Sequence, residues 1–366
     1  LWIEKDHTMA ILVGMGGLLL IGITLWDAFE TIILPRRVRR PWRFMRLVYR
    51  FTWTPWSGIA RRVRASNRRE NLLSYYGPLS LLMLLGVWAL CLIVGFAALH
   101  WMLSFQPAGA SVAASFRTDL FLSGSSFFTP GLGSAAVSTG LTRLLMVMEG
   151  AVGFGFLAII ISYLPGLNGA FSQREVNVSL LDARAGSPPS AGELLSRCNE
   201  GLVDGFLRDW ERWSAELMES HLSYPMLSYF RSQHDNQSWV TALTMVLDLC
   251  ALVLAGIDGM PTGAAYLTFA MARHAAADLS EVLATPPRPP RPDRLPPADL
   301  ARLRAELRAA GMCLAEGPAA DQRLSELRQM YEPYVNGLAH HLLAPLPAWL
   351  PDAGRRDNWE TTAWEA

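Results

Sequence analysis

The stretch Thr129-Pro130-Gly131-Leu132-Gly133-Ser134 carries almost no reactive side chain, so its chemistry is that of the backbone. Two glycines one residue apart, Gly131 and Gly133, accept the positive φ that other residues resist, which lets successive carbonyl oxygens of a strand turn toward one axis. Carbonyls arranged in this way replace the water shell of a cation. A single strand cannot enclose an ion, and open carbonyls facing lipid are prohibitively costly. The arrangement therefore requires several copies of the chain around the axis. The short pattern Thr-x-Gly-x-Gly also occurs in ordinary turns, so the surrounding sequence has to decide.

Other residue types narrow the options. Glu149 sits in the middle of the apolar run 141–171, where a carboxylate faces protein or water rather than lipid. It is expected to brace a preceding short helix or the 129–134 strand, in preference to gating by its own protonation. Ser125 and Ser126 are placed to hydrogen-bond behind the strand, and Phe127 and Phe128 to wedge it between helices. Gly150, Gly153 and Gly155 strip one face of side chains, which serves close helix packing and a hinge equally well. Pro165 with Gly166 is expected to kink or end that helix at a gate. Asp27 and Glu30 share a face near the end of the first apolar run, where a salt bridge to the arginines that follow outweighs a cation site.

In the second half, His221, His234 and Asp235 form a candidate ligand pocket. A capped loop between two helices explains Asp235 and Asn236 as well. His340 and His341 are adjacent on a helix and point to different faces, which makes a poor metal pair. Cys91, Cys198, Cys250 and Cys313 are far apart with no CxxC spacing, so neither disulfides nor zinc are expected. No Walker or dinucleotide fingerprint is present, and no nucleophile, base or metal set clusters. The sequence reads as no enzyme, with no metal and no cofactor beyond monovalent cations.

The elements that must position these residues are helices. In 366 residues, 51% are apolar, and mean hydropathy is positive, which favours a membrane protein. Residues 1–34 read as an N-terminal transmembrane helix. Residues 35–71 read as a basic cytoplasmic or interfacial linker, holding twelve arginines from Arg36 to Arg69 and no acid, interleaved with Trp42, Phe44, Tyr49, Phe51, Trp53 and Trp56. That mixture suits a helix or two in the headgroup layer, with lipid rather than nucleic acid as partner. Residues 72–175 give an outer helix, a short helix at 115–128, the 129–134 strand and an inner helix at 141–171. From 176 to 366 the composition is that of a helical cytosolic domain, after a Gly186–Ser190 linker. Its helices are expected at 191–230, 236–257, 262–284, 297–311 and 321–344. The run 239–257 is apolar enough for a span, but Asp248 and the polar flanks favour a buried soluble helix. The charge bias places the N-terminus outside and the tail in the cytoplasm.

On Leu72 to about Glu175, and above all on Thr129-Pro130-Gly131-Leu132-Gly133-Ser134, the chain resembles the pore unit of the potassium-channel family. Arg143 and Gly153 stand where that family places a post-filter arginine and an inner-helix hinge glycine. Beyond this core the whole chain resembles bacterial potassium-channel-family membrane proteins. The resemblance implies an all-α homotetramer of the inner membrane, a pore helix at 115–128, and a filter at 129–134 conducting potassium. Two residues depart from the family pattern. Pro130 replaces an aliphatic residue, keeping its carbonyl but losing its N–H and restraining Thr129. Ser134 replaces an outer aspartate, which lowers cation enrichment at the mouth. A selective pore, a weakly selective pore, and a non-conducting sensor or scaffold whose tail binds a cytosolic ligand all remain open.

Overall fold

The computed structural model describes residues 2–34, 44–64, 66–104, 115–128, 140–198, 200–233, 236–350, 356–357 and 359–360. All the regular structure among these residues is helical. The chain divides into two compact units, Leu1–Trp56 with Pro78–Asn168, and Ser57–Gly77 with Gly169–Ala366. Four segments are long and apolar enough to cross a membrane: Thr8–Ile33, Asn67–Ser104, Gly140–Ala185 and Trp239–Gly256.

In the first unit, α1 (Trp2–Ala28) closes with a π turn at Phe29–Ile33. It packs on α3 (Ser66–Ser104) through glycines. A Cβ at Gly17 would lie 2.5 Å from the Gly95 carbonyl oxygen, and one at Gly95 would lie 2.6 Å from Ile21. Small residues at such crossings let helix backbones approach in an apolar solvent, where dispersion contacts rather than water exclusion drive association. The Trp88 indole donates to Asp27 at 3.0 Å and that of Trp26 donates to Glu30 at 2.8 Å. These bonds satisfy carboxylate oxygens buried at the end of the first span. The segment 35–43, to which a salt bridge was expected, lies outside the described residues. Between the two spans, α2 (Phe44–Arg62) turns Tyr49, Trp53 and Ala60 inward and leaves Arg50, Phe51 and Ile59 exposed.

The short helix α4 (Phe116–Phe127) rises only about 18 Å at ~1.5 Å per residue, well short of a ~30 Å hydrocarbon layer. The long helix α5 (Gly140–Ser179) does not end at Pro165, as the sequence suggested it might, but runs on through it. A proline costs one backbone bond, which membrane helices tolerate. The helix beyond it is anchored at Arg174, as described below.

In the second unit the chain from Gly186 to Ser190 is not a loose linker. Gly186, Ser187 and Ser190 are buried, the Ser187 N–H donates to Asp357 at 3.1 Å, and Ser190 caps α7 (Ala191–Arg197) by accepting from the Glu193 N–H. This is the Ser-x-x-Glu arrangement favoured at helix starts. One helix was expected over 191–230, but Cys198 is extended, so α7 is followed by a separate α8 (Glu200–Ser223) and a 3-10 turn at Pro225–Tyr229. A five-residue helix α6 (Leu181–Ala185) precedes them.

At the centre of this unit lies α9 (Trp239–Gly256), on which α7, α8, α10 (Thr262–Val282) and α12 (Pro318–Leu342) pack. Every residue from Trp239 to Val253 is buried. Asp248, fully buried, takes the Arg294 guanidinium at 3.1 and 2.5 Å and the Tyr331 hydroxyl at 2.5 Å. Arg294 also reaches Glu332 at 3.1 Å, and Glu332 accepts from Arg328 at 3.0 Å. The apolarity of α9 is thus spent on neighbouring amphipathic helices. The helix α11 (Pro297–Ala309) covers α7.

Candidate functional site

The first unit converges on the C-terminal half of α4. Phe127 is buried with Ile21, Leu92 and Phe96, against Val152 and Phe156. Gly153 of α5 lies so close to this turn that a Cβ there would sit 2.0 Å from the Phe127 carbonyl oxygen. At Gly150 the equivalent atom would make an ordinary contact, 3.6 Å from the Ser126 carbonyl, and at Gly155 nothing lies within 4 Å. The three glycines therefore serve different ends, and only Gly153 is required by the packing.

Polar side chains complete the junction. Glu149, fully buried on α5, accepts a short hydrogen bond from the Ser123 hydroxyl of α4 and lies 2.9 Å from Nε2 of His100 on α3. Ser123 Oγ is also 2.8 Å from the Ile93 carbonyl of α3. One carboxylate thereby ties three helices, and its two oxygens each have a partner where an unpartnered one would be expensive. Near the start of α4, Asp119 is buried and faces Ser104 at 3.5 Å, one turn beyond His100.

Ser123 and His100 were not singled out from the sequence. The signal was present, since a histidine inside an apolar span invites the same question as Glu149, but the distance of 49 positions between them concealed the pairing. Ser125 donates to the Leu122 carbonyl of its own helix at 2.9 Å. The buried Ser126 hydroxyl has no hydrogen-bond partner among the described residues. Thr129, Pro130, Gly131, Leu132, Gly133 and Ser134 lie outside the described residues.

Most of α5 is uncovered. Only 11% of its most apolar stretch is buried, and Leu144, Val147, Met148, Phe154, Leu157 and Ile161 are exposed. This apolar surface needs lipid or further protein around it.

In the second unit, His221 is fully buried on α8 with both ring nitrogens engaged. Nδ1 donates to the Leu217 carbonyl at 2.8 Å, and Nε2 accepts from Arg174 at 3.3 Å. Burial and the Arg174 charge hold the imidazole well below its ordinary pKa, so it is neutral. Arg174 further donates to Glu175 at 2.8 Å and to the carbonyls of Leu227 and Phe230 at 2.9 Å each. His234 and Asp235, the intended companions of His221, lie outside the described residues. Among the described residues no group of histidine, cysteine and carboxylate side chains could hold a metal ion.

Compared with known proteins, the chain matches no family model, no curated protein and no solved structure. Its function has to be argued from its own residues.

Proposed function

We propose that this chain is one subunit of a fourfold cation channel of the bacterial inner membrane, conducting through the strand Thr129–Ser134, with potassium as its ion by resemblance. The observation that carries this reading is α4, a helix too short to span, tied through Ser123 to the Ile93 carbonyl of α3 and the Glu149 carboxylate of α5, and followed in sequence by Thr129–Ser134. Non-helical backbone at membrane depth has to be shielded from lipid, which a ring of subunits would provide for a filter at 129–134. The C-terminal carbonyls of α4 carry partial negative charge, which favours a cation nearby. The uncovered apolar surface of α5 supports the same reading, because an inner helix of a ring meets neighbouring subunits and the pore. Glu149, Ser123 and His100 are the braces that fix α4, and Gly153 permits its close seating. The tail, which continues from α5, is the regulatory or assembly unit, with the N-terminus of the chain outside and the tail in the cytoplasm.

The test is the reversal potential of the purified full chain in a planar bilayer, with potassium on one side and sodium on the other. A value near the potassium equilibrium potential supports a selective pore despite Pro130 and Ser134. A value near zero with clear unitary steps supports a weakly selective one, and Pro130→Val with Ser134→Asp should then restore preference. Silence at all voltages, together with a particle lacking fourfold symmetry, would overturn the channel reading in favour of a membrane-anchored scaffold.

A further inference from the structure

The first turns of α3, residues 66–77, and the last turns of α5, residues 169–179, belong to the second unit. Both meet the 3-10 turn at Pro225–Tyr229 and the two residues that follow it. From α5, buried Arg174 donates to the carbonyls of Leu227 and Phe230 at 2.9 Å each, and its guanidinium lies 5.0 Å from the centre of the Phe171 ring. From α3, the Tyr76 ring stands edge-on to Tyr229 at 5.3 Å, and Glu70 lies 3.6 Å from Arg231. Phe230 reaches both helices. Its ring is 5.9 Å from that of Phe171, and a Cβ at Gly77 would sit 2.8 Å from Cδ2 and 3.1 Å from Cα of Phe230. A turn this short leaves carbonyls without helical partners, and a buried guanidinium requires acceptors, so each satisfies the other.

The same residues are tied to the end of α12. The Tyr229 hydroxyl lies 3.2 Å from Nε2 of His341, and Arg231 donates to the Leu342 carbonyl. Leu343, which closes α12, has a left-handed backbone with φ of 55°, a conformation that a leucine keeps only where its surroundings fix it.

We propose that residues 225–231 form a relay that locks the first turns of α3 to the last turns of α5 and ties both to the end of α12, so that a rearrangement of the tail moves the two helices together. A contact with one helix alone would leave the other free to stay behind. Here rings and an ion pair hold α3, charge-assisted bonds and a ring hold α5, and Phe230 is shared. The link itself stands on these contacts, whereas its use as a gating route rests on the channel reading given above.

The experiment follows amide hydrogen exchange of the purified full chain in one detergent by mass spectrometry. Gly77→Ala disturbs the relay from α3 and should raise exchange about tenfold at 225–231 and also at 169–179 on α5, with α9 still protected. Phe171→Ala disturbs it from α5 and should raise exchange at 66–77, which keeps the comparison intact if Gly77→Ala fails to fold. Tyr266→Ala, exposed on α10, should leave all three segments unchanged. Exchange that rises only in the turn and on the helix carrying the substitution would overturn the relay. In a planar bilayer the two relay variants should alter open probability while unit conductance and reversal potential stay as in wild type. Coupled exchange with unaltered open probability would overturn the gating role, and coupled exchange in a chain that never conducts would overturn the channel reading and leave the relay standing.

Discussion

Replacing Gly153 with alanine adds one methyl group where the structure has no room for it. The new Cβ would lie 2.0 Å from the Phe127 carbonyl oxygen and 2.8 Å from its carbon, both of them backbone atoms that no rotamer change can move. Carbon and carbonyl oxygen come to rest near 3.3 Å, so α4 and α5 must separate by about 1.3 Å at this point. That separation also pulls Glu149, one turn earlier on α5, away from Ser123 and loosens the packing around Phe127. Overpacking of this kind costs roughly 1–3 kcal/mol. Gly155→Ala is the matched control, because its Cβ meets nothing within 4 Å. That change should alter stability by no more than about 1 kcal/mol, the size of the intrinsic preference of a helix for alanine over glycine. The assay is the thermal midpoint of the purified full chain in one detergent, followed by tryptophan fluorescence, with Gly153→Ala expected several degrees below both wild type and Gly155→Ala. Equal midpoints for the two variants would refute the packing argument. A wild-type midpoint for Gly153→Ala with altered gating would return Gly153 to the role of hinge.

Acid should destabilise the tail through His221. The fold holds this imidazole neutral, whereas the unfolded chain takes up a proton below about pH 6.5, so stability falls as pH drops beneath that value, by up to ~1.4 kcal/mol per pH unit. His341, pushed down to about 4 mainly by burial, acts in the same direction. In denaturant titrations between pH 7.5 and 5, His221→Gln should show a shallower decline than wild type, and an unchanged slope would exclude His221 as a source. Asp248→Leu should cost about 3–5 kcal/mol, because it removes the fully buried carboxylate that takes both arms of Arg294 and leaves that buried charge only Glu332. The double change Asp248→Leu with Arg294→Met should recover much of that loss. A double variant as unstable as the sum of the singles would show that the two residues are not coupled.

The helical class, the three apolar runs in the first half, the short helix before the glycine pair and the helical tail were all legible in the sequence, because each rests on local pattern. Apolar length, proline and glycine punctuation and 3.6-residue periodicity act within a few turns of the chain. Glu149 stood out for the same reason, since a carboxylate within an apolar run is conspicuous wherever it lies. Its partners were not legible. His100 and Ser123 come from two other helices, and only packing brings them to one carboxylate. The division of labour among Gly150, Gly153 and Gly155 was equally hidden, because which glycine touches another backbone depends on the rotation of α5 against α4.

What the sequence determined by itself is therefore where helices form and which of them are apolar enough to enter a membrane. Whether α9 does so depended on its neighbours. Four packed helices and an arginine 46 positions away from Asp248 give it a protein surrounding instead of a lipid one. Helix formation is set by contacts three or four residues apart, whereas the partner of a buried charge or the neighbour of a glycine is chosen by elements far away in the chain, and only the folded chain brings them together.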